Sequence, residues 1–547
     1  MSVGRSARSV VRFVLAFACA QASNADELVY RARPGDTLIG LGERMLENPR
    51  DWPKVQAHNR IAEPRRIPIG REIRLPLAWL RQLPATATVV AVRGTAMHAG
   101  RALEAGTVLA EGSEVVTGAD GFVTLELADG SVLMLQSESR LALQRLRRYA
   151  ETDAYDSRVL LPAGRVESRA RRQGRVGRFE IHNPVAISAV RGTDFRVSFE
   201  SSAVLGRTET LEGAVGVQGS RPDAVPAPGR ARPREPEVLI NAGFGTLVDA
   251  TRVPRPPAPL LPPPDLSRQP ALHERVLLRL RFEPVQGAER HRGQVALDEA
   301  FRVVVAETVF TGPEARFADL PDAAYFLRLR SIDAHGIEGV DATHRLVLKA
   351  RPEPPFPSFP PDNGKQSGER AEFEWTVAGA EVAYRFQLAR DAAFNELVEN
   401  RSELAAPRTT IDNVSPGDYF WRVATTARDG DRGPFGDAQR YTQKPIPPLP
   451  EPPSLDANTV SLAWSGEPGQ RFRLQVAGDR EFRAITVDQT LAEPRIALPK
   501  PPAGTYYVRV QAIDPDGYVG PFTASQSFTV PPPWWIFVPL LLVPFLL

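Results

Sequence analysis

Proline constrains this chain more than any other residue. The 547 residues include 52 prolines, gathered into dense runs at Pro222–Pro236, Pro254–Pro270, Pro352–Pro361, Pro445–Pro453 and Pro531–Pro533. An interior proline costs a helix about 3 kcal/mol and removes a backbone donor, so a mainly helical fold is excluded. Clustered prolines instead favour extended, semi-rigid spacers. The pattern predicts several small folded units separated by such spacers, and length alone sets a prior of about four domains.

Between the clusters the apolar residues alternate in short runs, the period of strands rather than of helices. The predicted fold class is therefore mainly β and multidomain. Charge adds little: 67 basic residues against 65 acidic ones leave +2, with no whole-chain drive toward nucleic acid. A single cysteine, Cys19, argues against a disulfide scaffold, a Cys-rich zinc site or an iron–sulfur cluster. Cys19 also falls within a segment that reads as an export signal. Arg5, Arg8 and Arg12 precede an apolar run from Phe13 to Ala20, and small residues follow, so residues 1–25 are expected to be a cleaved signal peptide. At the other end, residues 534–547 are uncharged and apolar. They are too short and too proline-broken for a regular spanning helix, and suit either a membrane interface, bordered by Trp534 and Trp535, or packing on the protein itself.

The first folded segment reads strand, helix, helix, strand. Leu28–Ala32 is the first strand, and Pro34-Gly35-Asp36-Thr37 a turn and helix cap. Leu38–Leu46 and Trp52–Asn59 are the helices, and Glu72–Leu75 the closing strand. Tyr30, Gly35, Asp36, Thr37, Leu38, Trp52, Asn59, Ile61, Ile67, Gly70, Ile73, Leu75 and Pro76 fall at matching positions of the LysM pattern, and residues 26–78 resemble that domain. The resemblance implies binding of N-acetylglucosamine-containing glycan, chiefly peptidoglycan. Its shallow groove would be built from Gly35, Asp36, Thr37, Leu38, Asn59, Arg60 and Ile61. Each also has a structural reading: Asp36 or Thr37 as a helix cap, Ile61 as core.

Residues 88–250 are β-rich. Phe122–Leu127 and Val132–Leu135 form a hairpin pattern around Asp129-Gly130, and further strands are expected at Arg158–Leu161, Gly164–Glu167, Phe179–His182, Phe195–Phe199 and Ala214–Gln218. The segments Gly112–Gly118, Ala128–Leu133, Pro162–Val166 and Ala189–Phe195 resemble the FecR domain, a regulatory or ligand-sensing module of the bacterial envelope. A FecR regulator carries a cytoplasmic anti-sigma segment and a membrane span before the domain; here a signal peptide and LysM-like module stand in their place. Arg191, Gly192 and Thr193 are the motif residues carried over, either contacting a ligand or forming a tight inter-strand turn. Eleven arginines between Arg140 and Arg178 offer an anion-binding face or simply solvated hairpin loops.

After an expected linker at 251–271, a pattern repeats three times, over 272–350, 363–445 and 454–530. Phe282, Trp375 and Trp464 are read as beginning a strand, and Phe301, Phe394 and Phe482 follow 19, 19 and 18 residues later. Tyr325, Tyr419 and Tyr506 come 24, 25 and 24 residues after those, each with a glycine eleven residues beyond. Unit size, alternation and the cysteine-free tryptophans resemble fibronectin type III or immunoglobulin-like sandwiches, with the aromatics in the core. The seven histidines show no metal-ligand spacing, and no nucleophile elbow, phosphate loop or dinucleotide fingerprint occurs. The expectation is a non-enzymatic periplasmic or envelope protein without cofactor or metal. Its partners would be peptidoglycan, an envelope protein and a membrane touched by the tail. A LysM-targeted wall-remodelling enzyme and a surface adhesin are the alternatives.

Overall fold

The computed structural model describes residues 27–172, 176–190, 192–220, 237–445 and 448–532. The signal-peptide reading, the proline run 222–236, Arg191 and the tail 534–547 lie outside these. The fold is mainly β and multidomain, with short helices near the N-terminus. The chain divides into two compact units, Met1–Leu348 and Lys349–Leu547. Among the described residues no helix is long and apolar enough to cross a membrane.

The first unit opens with strand β1 (Glu27–Arg31), helix α1 (Leu38–Met45), helix α2 (Trp52–Asn59) and strand β2 (Glu72–Pro76). The two strands pair antiparallel, Tyr30 opposite Ile73. Leu38, Leu41 and Met45 recur at helical spacing and bury one face of α1 against Val55, Ile61, Ile73 and Leu75. This core continues without a break: Leu46 bridges to Leu80, and Tyr149 and Ala154 pack into it.

The strands from Gln82 to Pro259 then close into a barrel. The anticipated hairpin is present, with Leu125 opposite Leu133. The two strands read as Arg158–Leu161 and Gly164–Glu167 are one long strand, Tyr155–Arg169. Its first half pairs with Arg140–Tyr149 and Arg178–His182, its second with Val132–Leu135 and Asp194–Glu200. Gly164 sits at the change of partner with φ +88°, where a Cβ would collide with Ser139. The glycine marks a bend that passes the strand from one face of the barrel to the other rather than a strand end.

Residues 251–271 are not a free spacer. Ala258–Pro259 pairs with Phe244–Val248 as the last barrel strand, and Leu260 and Leu266 are buried. Leu260 packs with Leu247 of the barrel and Ile337 of the first repeat. Proline at an edge strand loses no ladder bond, which is why a proline-rich run can be structural here.

Each repeat is a pair of sheets. In the first, a sheet in the order Leu272–His273, Ala342–Leu348, Ala323–Ile332, Arg290–Ala296, Val304–Phe310 faces the pair Leu278–Arg281 and Glu314–Phe317. The second unit contains the other two sandwiches, cored on Phe373, Trp375, Phe386, Trp421 and Tyr441 and on Val460, Trp464, Phe472, Leu474 and Val508. The first landmark ends a strand rather than beginning one: Trp375 closes Ala371–Trp375, and Phe282 and Trp464 directly follow Leu278–Arg281 and Thr459–Ala463. The alternating residues before it, such as Leu278, Leu280, Val460 and Leu462, form the buried face.

Candidate functional site

In the N-terminal β-α-α-β module the seven residues expected at a groove divide by burial. Asp36 is 9% exposed and accepts hydrogen bonds from the Arg33 amide (2.7 Å), the Tyr30 hydroxyl (2.7 Å) and Arg44 Nη2 (2.6 Å). Burial opposes its ionisation, but these donors prevail and hold its carboxyl below the usual range. Its role is to pin the β1–α1 turn. Thr37 caps α1, accepting from the Gly40 amide at 3.0 Å. Asn59 ties the end of α2 to β2: its amide reaches Val55 O and Arg74 O, and its carbonyl accepts from the Arg74 amide at 2.6 Å.

Leu38 and Ile61 are core residues, 1% and 4% exposed, so neither can offer its side chain to an acetyl methyl. Gly35 and Arg60 are exposed, both at positive φ. The structure does bring the two loops together, since the Leu38 amide donates to Pro64 O and Gly70 to Ala32 O. It also presents Ile69, 72% exposed on the loop before β2, which the sequence reading left out. The signal available was its place outside the strand alternation, flanked by Pro68 and Gly70.

In the barrel, Gly192 has φ +90° and abuts Arg172, while Thr193 is 4% exposed and its carbonyl accepts from the Ala170 amide. These two residues form the tight turn; their side chains present nothing to solvent. Most of the described arginines in the stretch are carried on strands, with Arg171 and Arg172 beyond the strand end, and acids already occupy much of it. Arg145 pairs with Asp156 (2.7 Å), Arg147 with Glu111 (2.7 Å), and Arg158 with Asp156 and Glu180. Arg165 is half-buried with its Nε turned inward, and that desolvation pulls its guanidinium below the ordinary arginine value.

Arg165 belongs to the most chemically dense region of the molecule, the junction between the barrel and the first sandwich. Apolar contacts flank it: Phe122 packs on Ala296, Phe301 and Val304. Between them lies a sealed polar network. From the sandwich strand Ala323–Ile332, Arg328 Nη2 reaches Glu167 at 2.8 Å and Arg330 Nη2 reaches the same carboxylate at 2.6 Å. Arg330 Nε meets Glu338 at 2.7 Å, and Arg292 spans Glu307 (2.6 Å) and Glu338 (2.7 Å). Arg196 of the barrel crosses to Asp341 (2.6 Å) and Gly339 O (2.8 Å). Gln294 donates to Gln136 and to Glu307.

Glu167 is desolvated, yet Arg328, Arg330 and Arg196 hold its carboxyl down at about 2; Glu338 is likewise held well below the usual carboxylate value. Glu209 behaves oppositely. Burial and the neighbouring Glu338 charge push it up to about 7 against the pull of Arg196 and Arg207. Sequence reasoning missed this network because its members are far apart in the chain. A legible trace was the alternation Arg328, Arg330 on the face of a strand that in the other repeats carries Arg422 and Ala424, or Arg509 and Gln511.

Against known proteins, the family model described as FecR protein matches residues 113–216. That span holds every barrel residue of the network named above: Gln136, Arg165, Glu167, Arg196 and Glu209. A putative anti-sigma factor from Parabacteroides distasonis is similar at 16% identity and a TM-score of 0.20, over 27% of this chain and 59% of that one. The chain thus spans well under two thirds of that structure. The FN1–FN3 domains of chicken CNTN1 are similar at 18% identity and a TM-score of 0.21, over 47% of this chain and 94% of that one. No curated protein matches. The class these findings define is a multidomain β protein with a FecR-matching segment.

Proposed function

We propose that the chain is an exported, non-enzymatic envelope protein of the periplasm. Its LysM-like module would hold it to peptidoglycan, and its FecR-type barrel would sense or bind an envelope partner. The observation that carries the reading is the combination of a FecR-matching segment at 113–216 with an N-terminal β-α-α-β module sharing its core. The buried acids named above are engaged with arginines and backbone amides rather than facing an open cleft.

Glycan recognition in this reading falls to the exposed rim: the Gly35 backbone, Arg60 and Ile69, with Thr37 and Asn59 setting the loops. Exposed amides and an apolar side chain suit an acetamido sugar, whose methyl and N–H need both. Co-sedimentation of the full chain with purified sacculi tests this. Arg60→Asn combined with Ile69→Asp should reduce retention at least tenfold while leaving the fold intact, since both side chains are exposed. Retention equal to the parent would remove the glycan-binding reading.

A further inference from the structure

The three sandwiches share one internal device, and the first has altered it. Arg328, Arg422 and Arg509 each lie over a landmark phenylalanine, Phe301, Phe394 or Phe482, at 4.3, 3.9 and 4.0 Å from the ring centre. In the second and third repeats another ring, Phe435 or Phe522, lies 4.4 or 4.2 Å from the same guanidinium. Those rings belong to Gly433-Pro434-Phe435 and Gly520-Pro521-Phe522, and the corresponding residues of the first repeat are Gly339-Val340-Asp341. The second ring is replaced by an acid, and Arg328 turns to Glu167 of the barrel instead.

We infer that the first sandwich is the barrel's resident partner, docked by a pH-gated clasp that holds in mildly acidic solution and loosens as the solution becomes neutral. The clasp is built around Glu209. On the barrel, Arg196 stands opposite Glu209 in the strand ladder and is its natural counter-charge. Docking draws the Arg196 guanidinium away, to Asp341 and Gly339 O. Docking also brings Glu338 against Glu209, whose carboxylate among the described residues accepts from the Glu338 amide alone, at 3.3 Å.

The charged groups around it are Arg165, Glu167, Arg196 and Arg207 from the barrel and Arg330 and Glu338 from the sandwich; the other flanking strand, Phe244–Val248, carries none. The remaining void of about 10 Å³ holds one water at most. A buried carboxylate beside a like charge, with its cation taken elsewhere, is stable as the neutral acid. Released into water, the same group ionises readily. The sign follows from linkage: a carboxyl raised to about 7 in the docked form favours docking below its ordinary value, and loses that contribution as pH rises through 7. Between its ordinary value near 4.5 and 7 the docking constant falls by up to tenfold per unit, and above 7, where the group is ionised docked or free, it levels off.

Hydrogen exchange on the full chain tests this without reference to glycan binding. The readout is the peptide Asp333–Asp341, whose Glu338 amide faces Glu209 and whose Val340 amide bonds Leu261 O. Protection is expressed relative to Ala383–Ala389 of the second sandwich, which corrects for the intrinsic pH dependence of exchange. Protection at pH 8.5 should fall about tenfold below that at pH 6. Glu209→Gln, the shape of the neutral acid, should abolish the difference, and Asp341→Asn should lower protection at both pH values. Equal protection of the parent at the two pH values, an undiminished difference in Glu209→Gln, or parent-like protection in Asp341→Asn would each overturn the inference.

Discussion

The strand that starts at Ala323 and the one that starts at Gly417 are close relatives, yet they are stabilised differently. Both carry a tyrosine whose hydroxyl donates to a carbonyl four residues back, Tyr325 to Pro321 at 2.7 Å and Tyr419 to Ser415 at 2.8 Å. Both place an arginine three residues later over a phenylalanine at positive φ, and each arginine donates to a glutamine of the next strand, Arg328 to Gln294 and Arg422 to Gln387. In the second sandwich that motif has Phe435 against its arginine. In the first it faces outward, and Arg292, Arg330, Glu338 and Asp341 extend it into a buried array shared with the barrel. One replacement, an acid where the others have a ring, goes with a module whose buried charges are shared between its own acids and the barrel's Glu167 and Arg196.

The largest break in this contrast comes from Arg330, 1% exposed and bonded to three acids. Arg330→Met takes one cation from each of Glu167 and Glu338, leaving them Arg328 and Arg292, and removing one side of a buried pair costs about 3–5 kcal/mol. Urea denaturation followed by exchange should show that loss in the first unit. Arg428→Met, which breaks an exposed pair with Glu381, should cost at most about 1 kcal/mol. Equal effects would mean that the array carries no particular stability.

Acid gives the next largest effect. Glu167, held down at about 2, contributes stability that is present above its ordinary value near 4.5 and is lost as pH falls toward 2. The difference corresponds to about 3 kcal/mol. The first unit should therefore weaken between pH 5 and 2.5, and Glu167→Gln should flatten that slope at the expense of lower stability at pH 6. A slope unchanged by Glu167→Gln would assign the acid sensitivity to other carboxylates.

What could be read from the chain beforehand follows the same division. The motif repeated within each sandwich was visible because local physics writes it locally: alternation sets the buried face, and the tyrosine, phenylalanine and glycine sit at fixed spacings. Strand Tyr155–Arg169 was misread as two because Pro162 and Gly164 have the residues of a turn, and only the approach of Ser139 explains why they form a bend instead. The junction array was not legible. Glu167 and Arg330 are 163 residues apart, and an arginine bias through the whole chain hides the few arginines that are buried. In the N-terminal module the groove positions were legible as positions but not as roles, because Asp36, Leu38 and Ile61 serve the turn and core.

A smaller effect separates the ring-closed arginines from Arg328. Arg422 lies between Phe394 and Phe435 and donates to Gln387, so Arg422→Met should cost about 1–2 kcal/mol, mostly cation–π contact and stem packing. Lysine at 422 should recover little, since a compact ammonium cannot lie flat between two rings and still reach the glutamine. If Arg422→Lys matched the parent in thermal denaturation, the planar stacking would be irrelevant, and the proposed difference between an acid-closed and a ring-closed arginine would lose its physical basis.

The smallest predicted effect tests whether the device common to all three sandwiches is the same device in each. The hydroxyl of Tyr419 belongs to a side chain 1% exposed, while Tyr506 is half-buried and donates to Pro502 O at 3.1 Å. A net hydrogen bond is worth about 1 kcal/mol, and water replaces it readily only where water can reach. Tyr419→Phe should therefore cost about 1 kcal/mol and Tyr506→Phe only a few tenths, measured as shifts of the corresponding unfolding transitions. Equal losses would show that the corner bond acts through chain geometry rather than burial. The third sandwich would then be held by the same restraint as the second despite its more open tyrosine, and the junction array would be the one feature in which the repeats truly differ.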